Sequence, residues 1–178
     1  MKSASRNIFL VGMMGAGKTT VGRLLARRLK LRFVDSDQEL ESRCGVRIPL
    51  IFEIEGEAGF RAREAQVLAE LTALEGIVLG TGGGAVLAED NRRRLSANGT
   101  VVYLRARPED LYERVRHDRN RPLLATADPL GRLRELYAQR DPVYRSIADL
   151  TIDTGRQAVP TLGRQLLQKL DERWKASA

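Results

Sequence analysis

Residues 12–19 read Gly-Met-Met-Gly-Ala-Gly-Lys-Thr, a G-x-x-x-x-G-K-T pattern directly after the apolar run Ile8-Phe9-Leu10-Val11. A strand, a glycine loop and a helix opening with Thr19-Thr20-Val21 form the context in which this pattern cradles phosphate. The glycines let successive backbone N–H groups turn inward around anionic oxygens, where most side chains would obstruct the approach. Gly15, Ala16, Gly17, Lys18, Thr19 and Thr20 are therefore the candidate nucleotide site. Lys18 is expected to reach the β- and γ-phosphates, the Thr19 hydroxyl to join a Mg²⁺ shell, and the helix N-terminus to add positive potential.

The rest of the chain alternates short apolar runs with longer amphipathic ones, as α/β layering requires. Strands are predicted at 7–11, 31–34 (ending at Asp35), 77–80, 100–104 and 150–153. Helices are predicted at 18–29, from Ser36-Asp37 to about 43, at 49–55, 57–74 and 89–97, from Pro108, at 130–139 and at 159–173. The run Thr100-Val101-Val102-Tyr103-Leu104 lacks polar alternation, which fits a strand covered on both faces. Pro108 opens its helix where a missing N–H is tolerated. Between about Arg116 and Asp128 the pattern lapses into His, Asn, Arg and Pro. No internal repeat or long linker divides the 178 residues, so one domain over 1–178 is expected.

The net charge of +7 and pI of about 10.1 suit an anionic ligand without identifying it. Nucleic acid is the rival partner, but the basic residues are interspersed with acidic ones. Only four Phe and four Tyr are available for base stacking. Arg92-Arg93-Arg94, the densest basic run, reads as a solvated helix face, and no nucleic-acid partner is expected. Cys44 is the only cysteine, which excludes an internal disulfide and a thiol zinc cluster. Lys2 and Arg6 before the first apolar run faintly imitate a secretion signal, but the run dissolves into glycines and meets Lys18. No membrane contact and a cytoplasmic location are expected.

Asp35 and Asp37 follow the second strand at the sheet edge where ligands bind. Asp35 can orient Mg²⁺-bound water and Asp37 can take up a substrate hydroxyl; alternatively the Asp35-Ser36-Asp37 group caps a helix. Arg61, three residues before Glu64, forms either an ordinary surface pair worth roughly 0.2–0.5 kcal/mol or an oriented arginine facing an acidic substrate. Gly82-Gly83-Gly84 marks a tight turn or a close approach to a ligand, whose anion or hydroxyl the loop's N–H groups can hold. Arg116, Arg119 and Arg121 belong to a mobile arginine-bearing flap or to a basic surface loop. His117 reads as a surface residue. Arg140, at a helix end near Asp141-Pro142, meets an acidic substrate or the helix C-terminus.

Taken together, G-M-M-G-A-G-K-T at 12–19, F-V-D-S-D at 33–37, I-F-E-I-E-G-E-A-G-F-R-A-R-E at 51–64, G-T-G-G-G at 80–84, R-P-L-L at 121–124 and R-D-P-x-Y at 140–144 resemble the shikimate kinases over nearly the whole chain. The resemblance implies a three-layer α/β/α P-loop kinase with a five-stranded parallel sheet in 2-3-1-4-5 order. It also implies a substrate-binding helical region at about 36–62 and a mobile lid at about 115–128. The implied reaction transfers the γ-phosphoryl group of ATP to the 3-hydroxyl of shikimate, with Mg²⁺, in a monomer of the aromatic amino acid pathway. Lys18 then meets the transferred phosphate, Thr19 binds Mg²⁺ and Asp35 approaches it through water. Asp37 binds the reacting hydroxyl and acts as base. Arg61 and Arg140 clamp the carboxylate, Gly82, Gly83 and Gly84 line the ring, and Phe60 packs the pocket. Arg121 reaches the phosphates from the lid, while Arg114 and Pro160 embrace adenine. Arg47 stands before Ile48-Pro49, where the family leads one to expect a small polar residue.

Overall fold

The computed structural model describes residues 6–119, 121–155 and 157–177. Five parallel strands form one sheet: β1 (Ile8–Val11), β2 (Arg32–Asp35), β3 (Ile77–Gly80), β4 (Thr100–Arg105) and β5 (Leu150–Asp153), in the order β2-β3-β1-β4-β5. Ile8 aligns with Val78 on one side and Thr100 on the other, so β1 is the central strand. Every residue of β1 and β3, and all of β4 up to Leu104, is buried. Strands this apolar need helices over both faces, and the helices supply a three-layer sandwich. Helix α1 (Lys18–Leu29) lies against β1, β2 and β3 and beside α7 (Val159–Ala176). Against β4 pack α4 (Glu89–Asn98) and α6 (Pro129–Ile147), with α5 (Pro108–Val115) beside α6.

The order places β1 at a switch point, where successive connections leave in opposite directions and a crevice opens beyond the strand carboxyl ends. The phosphate loop leaves β1 there, Asp35 ends β2, and Thr81 to Gly84 follow β3. These segments are distant in sequence and adjacent in space because parallel strands all end on one edge.

Helix α2 spans Ser36–Cys44, and α3 covers Ile48–Leu71 with a break at Gly56 (φ 71°, ψ −178°), which divides it close to the predicted boundary. Its second half stops at Leu71 rather than 74. The largest departure from the sequence reading is α6, which continues eight residues beyond 139, through Pro142 to Ile147. Arg140 is therefore inside a helix and not at its end. Proline removes one helical N–H bond and usually breaks a helix. Here Leu133, Leu136, Arg140 and Tyr144 are buried on one face, on either side of the proline. The packing of that face outweighs the lost bond.

Candidate active site

The phosphate loop is shaped by its surroundings as well as by its own conformation. Gly12 and Gly15 have φ of +148° and +77°; a Cβ on Gly12 would lie 2.5 Å from the Leu104 carbonyl, and one on Gly15 2.7 Å from Val115 Cγ1. Lys18 Nζ donates to the carbonyls of Gly12 (2.6 Å) and Met13 (2.9 Å), folding the side chain over its own loop. Burial lowers its pKa to about 8, against the opposing charge of Asp37. Ala16 is buried and Thr20 exposed on the first turn of α1.

Asp35 caps the helix that follows it and also contacts the phosphate-loop threonine. One oxygen accepts from the backbone N–H groups of Asp37 (3.0 Å) and Gln38 (3.1 Å), capping α2. The other accepts from Thr19 Oγ1 at 3.0 Å. A hydroxyl and a carboxylate side by side at the phosphate loop are hard oxygen donors. Among the described residues there is no cluster of three or more His, Cys, Asp or Glu able to cage a metal. Such a sparse donor set fits an ion that keeps waters and takes further oxygens from phosphates, as Mg²⁺ does.

Opposite the loop, Asp37, Arg61, Glu64 and Arg140 converge on Gly82-Gly83-Gly84. A Cβ on Gly82 would lie 2.8 Å from both Asp37 Oδ1 and Glu64 Oε2. One on Gly84 would collide with the Arg61 guanidinium (2.6 Å to Cζ), and one on Gly83 would sit 3.3 Å from Arg140 Nη1. None of the three has positive φ. They are glycines because charged side chains pass directly over them. The Gly82 N–H is already donated to Ser36 Oγ (3.1 Å), which corrects its reading as an anion-holding donor. Arg61 Nη1 donates to Glu64 Oε1 at 2.8 Å, and its guanidinium lies 5.0 Å from the centroid of the buried Phe60 ring. The pair is no ordinary surface bridge, because Glu64 is 2% exposed. Its remaining oxygen has no hydrogen-bond partner among the described residues.

Arg140 is also 2% exposed. Among the described residues it has no carboxylate within ion-pair distance, and its Nε lacks a hydrogen-bond partner. Burial lowers its pKa and the Arg61 charge pushes in the same direction, while the Tyr144 phenol opposes them. Asp37 is raised to about 6, chiefly by burial and then by the negative charges of Glu64 and Asp35, against the pull of Lys18 and Arg121. Glu64 is also raised by burial, with Arg61 opposing.

The third wall comes from the segment after α5. Arg121 borders the cleft and pairs with Asp118 at 3.1 Å, while Arg116, His117 and Arg119 are exposed and outside its lining. A short 3₁₀ turn, Pro122–Leu124, follows. Arg114 donates to Gly15 O (2.9 Å), Thr154 O (2.6 Å) and Gly155 O (2.7 Å), tying the phosphate loop to the turn after β5. Pro160 is exposed in the first turn of α7 and outside the lining, whereas its neighbours Gln157 and Val159 border the cleft. Arg47 caps α3 by backbone and, with Ile48, also lines it. The cleft, which opens to solvent, has a volume of about 770 Å³, enough for two small ligands side by side.

Sequence reasoning missed Ser36, the carbonyls held by Arg114, and Tyr144, whose hydroxyl donates to the Gly83 carbonyl. Tyr144 alone left a legible trace, as the last residue of the R-D-P-x-Y segment, but its place beside Arg140 on one helix face is readable only if the helix is carried through Pro142.

The chain matches the family model described as "Shikimate kinase" over residues 14–171. It is 65% identical over 165 residues to a shikimate kinase of Thiobacillus denitrificans, covering 93% of this chain and 90% of that one. It is 60% identical over 171 residues to one of Cupriavidus pinatubonensis, covering 96% and 89%. The solved shikimate kinase of Acinetobacter baumannii in complex with shikimate superposes with a TM-score of 0.93 at 48% identity, covering 97% of this chain and 96% of that one. The chain belongs to the shikimate kinase family.

Proposed function

We infer that this chain is a shikimate kinase, converting ATP and shikimate to ADP and 3-phosphoshikimate in aromatic amino acid biosynthesis, with the labour divided among its residues as follows. The observation that carries the acceptor's identity is the pair of arginines over Gly83 and Gly84. Arg140 is a buried cation without a carboxylate partner among the described residues, and Arg61 repels it. A ligand carboxylate between the two forks relieves both penalties, and bidentate pairing fixes its orientation. A hydroxylated ring attached to that carboxylate spans toward Asp37, with the glycine triplet leaving room for it and Phe60 packing its face. The A. baumannii relative in complex with shikimate supports this reading.

At pH 7 a carboxyl with a pKa of about 6 is roughly 90% ionised, so Asp37 accepts the hydroxyl's hydrogen bond and takes its proton as the phosphorus–oxygen bond forms. Phosphoryl transfer is chiefly positioning and charge stabilisation. The loop N–H groups hold the phosphates, Lys18 leaves the Gly12 and Met13 carbonyls for the transferred group, and Arg121 closes over it from the lid at about 115–128. The phosphate charge restores the ammonium form that burial disfavours in Lys18. Thr19 and Asp35 are the residues that would hold Mg²⁺, which would supply neutralisation of phosphate charge. Arg114 frames the adenine side, with Gln157 and Val159 alongside in place of the more remote Pro160.

The enzyme is read as working as a monomer, because one chain supplies the residues that line the cleft, and as cytoplasmic, where its nucleotide co-substrate is found. No helix among the described residues is long and apolar enough to cross a membrane. Nucleic acid has no role in this reading, since exposed arginines such as Arg93 and Arg107 are paired with neighbouring acids. The test is ADP formation from Mg²⁺-ATP with shikimate, quinate, gluconate and nucleoside monophosphates, with the product identified by mass. Turnover confined to shikimate is expected; turnover on gluconate alone would overturn the acceptor pocket.

A further inference from the structure

We propose that Tyr144 is a positioning residue of the acceptor site, holding the Arg140 guanidinium and the Gly83 backbone in one fixed arrangement through a single phenol oxygen. The proposal rests on the reading of Arg140 as a carboxylate clamp. Because α6 runs unbroken through Pro142, Arg140 and Tyr144 lie one turn apart on its buried face. Tyr144 is fully buried and has one O–H, which it donates to the Gly83 carbonyl. The lone pairs left on the oxygen are available to the neighbouring Arg140 guanidinium, whose pKa the phenol raises against the effect of burial. Arg140 Nη1 runs close to Gly83, so the guanidinium, the phenol and the glycine backbone meet at one place.

The rest of the phenol is fixed as firmly as its oxygen. The Tyr144 ring packs 4.9 Å from the Tyr103 ring at 33°. The Tyr103 hydroxyl donates to Asp141 Oδ1 at 2.7 Å, while Arg145 Nε donates to the other oxygen of Asp141 at 2.9 Å. Tyr103 therefore pins α6 to β4 through a hydroxyl bonded to Asp141, and not through Arg140 or Gly83.

A neutral holder has a chemical purpose at this position. An arginine has several rotatable bonds and must be aimed to present its fork to a carboxylate. Arg61 is aimed by a carboxylate, Glu64, which also cancels its charge. A second carboxylate beside Arg140 would cancel the charge of the one arginine here that has no carboxylate within ion-pair distance among the described residues. The phenol oxygen attracts the guanidinium without neutralising it, so the cation is oriented and still available.

The test compares Tyr144→Phe with Tyr103→Phe. Each removes one hydroxyl from a buried ring, so a purely structural role for Tyr144 makes the two variants alike. Tyr144→Phe is expected to raise KM for shikimate tenfold or more, leave KM for ATP within twofold, and lower kcat much less. Tyr103→Phe is expected to leave both KM values within twofold. The methyl ester of shikimate, which lacks the anion, supplies an independent readout: the preference for acid over ester should fall about tenfold in Tyr144→Phe. In case that variant proves too unstable to assay, 3-fluorotyrosine at position 144 keeps the ring and weakens the oxygen as an acceptor. It is expected to give a smaller rise in the same KM. An unchanged shikimate KM in Tyr144→Phe, an equal rise in KM for both ligands, or the same shift in Tyr103→Phe would overturn the proposal. Failure of the unaltered enzyme to phosphorylate shikimate would overturn the underlying functional reading instead.

Discussion

Replacing Asp37 by asparagine is expected to stabilise the ligand-free enzyme while removing its activity. The carboxyl is lifted from 3.8 to about 6, chiefly by burial and next by the charge of Glu64. A raised carboxyl pKa means that the folded state prefers the protonated form. Between about pH 4 and 6 the native protein binds the proton more tightly than the unfolded chain, so the native state loses stability as pH rises through that window. Above it the full penalty applies. About two pKa units at 1.36 kcal/mol each set a ceiling of about 3 kcal/mol at pH 7. Asparagine fills nearly the same space without the charge. For a domain of this size 1–3 kcal/mol corresponds to a rise in Tm of roughly 2–12 °C. Urea unfolding of both proteins at pH 7 and pH 4 measures the effect. The stability gap should be widest at pH 7 and close toward pH 4, where the native carboxyl is protonated. Turnover in Asp37→Asn should fall by about 10²- to 10⁴-fold, the range for loss of a proton acceptor. An asparagine variant less stable at pH 7, or a gap that does not change with pH, would refute the reasoning.

The two arginine clamps should separate in a different way. Arg140→Ala is expected to raise KM for shikimate by a factor corresponding to about 2–5 kcal/mol, with little change in urea stability and ATP affinity, because it removes a buried cation that has no protein counter-charge. Arg61→Ala should weaken shikimate similarly and also cost about 3 kcal/mol or more of stability, since it strands the buried Glu64 carboxylate; equal losses of affinity for both substrates would count against both assignments. The profile of kcat/KM should fall below about pH 6 with shikimate varied, as Asp37 protonates, and above about pH 8 with ATP varied, as Lys18 of the nucleotide-free site loses its proton. A flat profile between pH 5 and 9 would remove both residues from the chemistry. Arg114→Ala severs the link from Gly15 to the Thr154 and Gly155 carbonyls and should raise KM for ATP about tenfold with the shikimate KM unchanged, as read from initial rates with each substrate varied.

The parts of this site that could be read from sequence are those written in local chemistry. The phosphate loop needs its glycines, lysine and threonine at fixed spacing, and the preceding apolar run announces the buried central strand. The five strands and their order follow from the same alternation and the family resemblance. What remained hidden was set by contacts between distant segments. Gly82, Gly83 and Gly84 are explained by Asp37, Arg61, Glu64 and Arg140, which sequence separates from them by up to 58 positions. A triplet of glycines announces that something approaches, but not what does. Arg140 was misplaced for the opposite reason. Pro142 is a strong local signal to end a helix, yet the apolar face made by Leu133, Leu136 and Tyr144 keeps a helical period on both sides of it. Tertiary packing outweighed one missing hydrogen bond.

The ionisable groups that line the cleft share one physical condition. Lys18, Asp37, Glu64 and Arg140 are all displaced toward their neutral forms, and burial is the leading cause for each. A site built for stability alone would pair these charges or replace them with apolar side chains. Under the proposed function the cations are instead divided between two ligands: Lys18 and Arg121 for the nucleotide phosphates, Arg61 and Arg140 for the acceptor carboxylate. Each ligand brings the anion its own half lacks, so occupancy restores the charged forms that burial disfavours. Asp37 stands between the halves and is repelled by Asp35 on one side and Glu64 on the other. That position keeps its proton affinity close to neutrality, where a carboxylate can both receive a hydroxyl proton and release it afterwards.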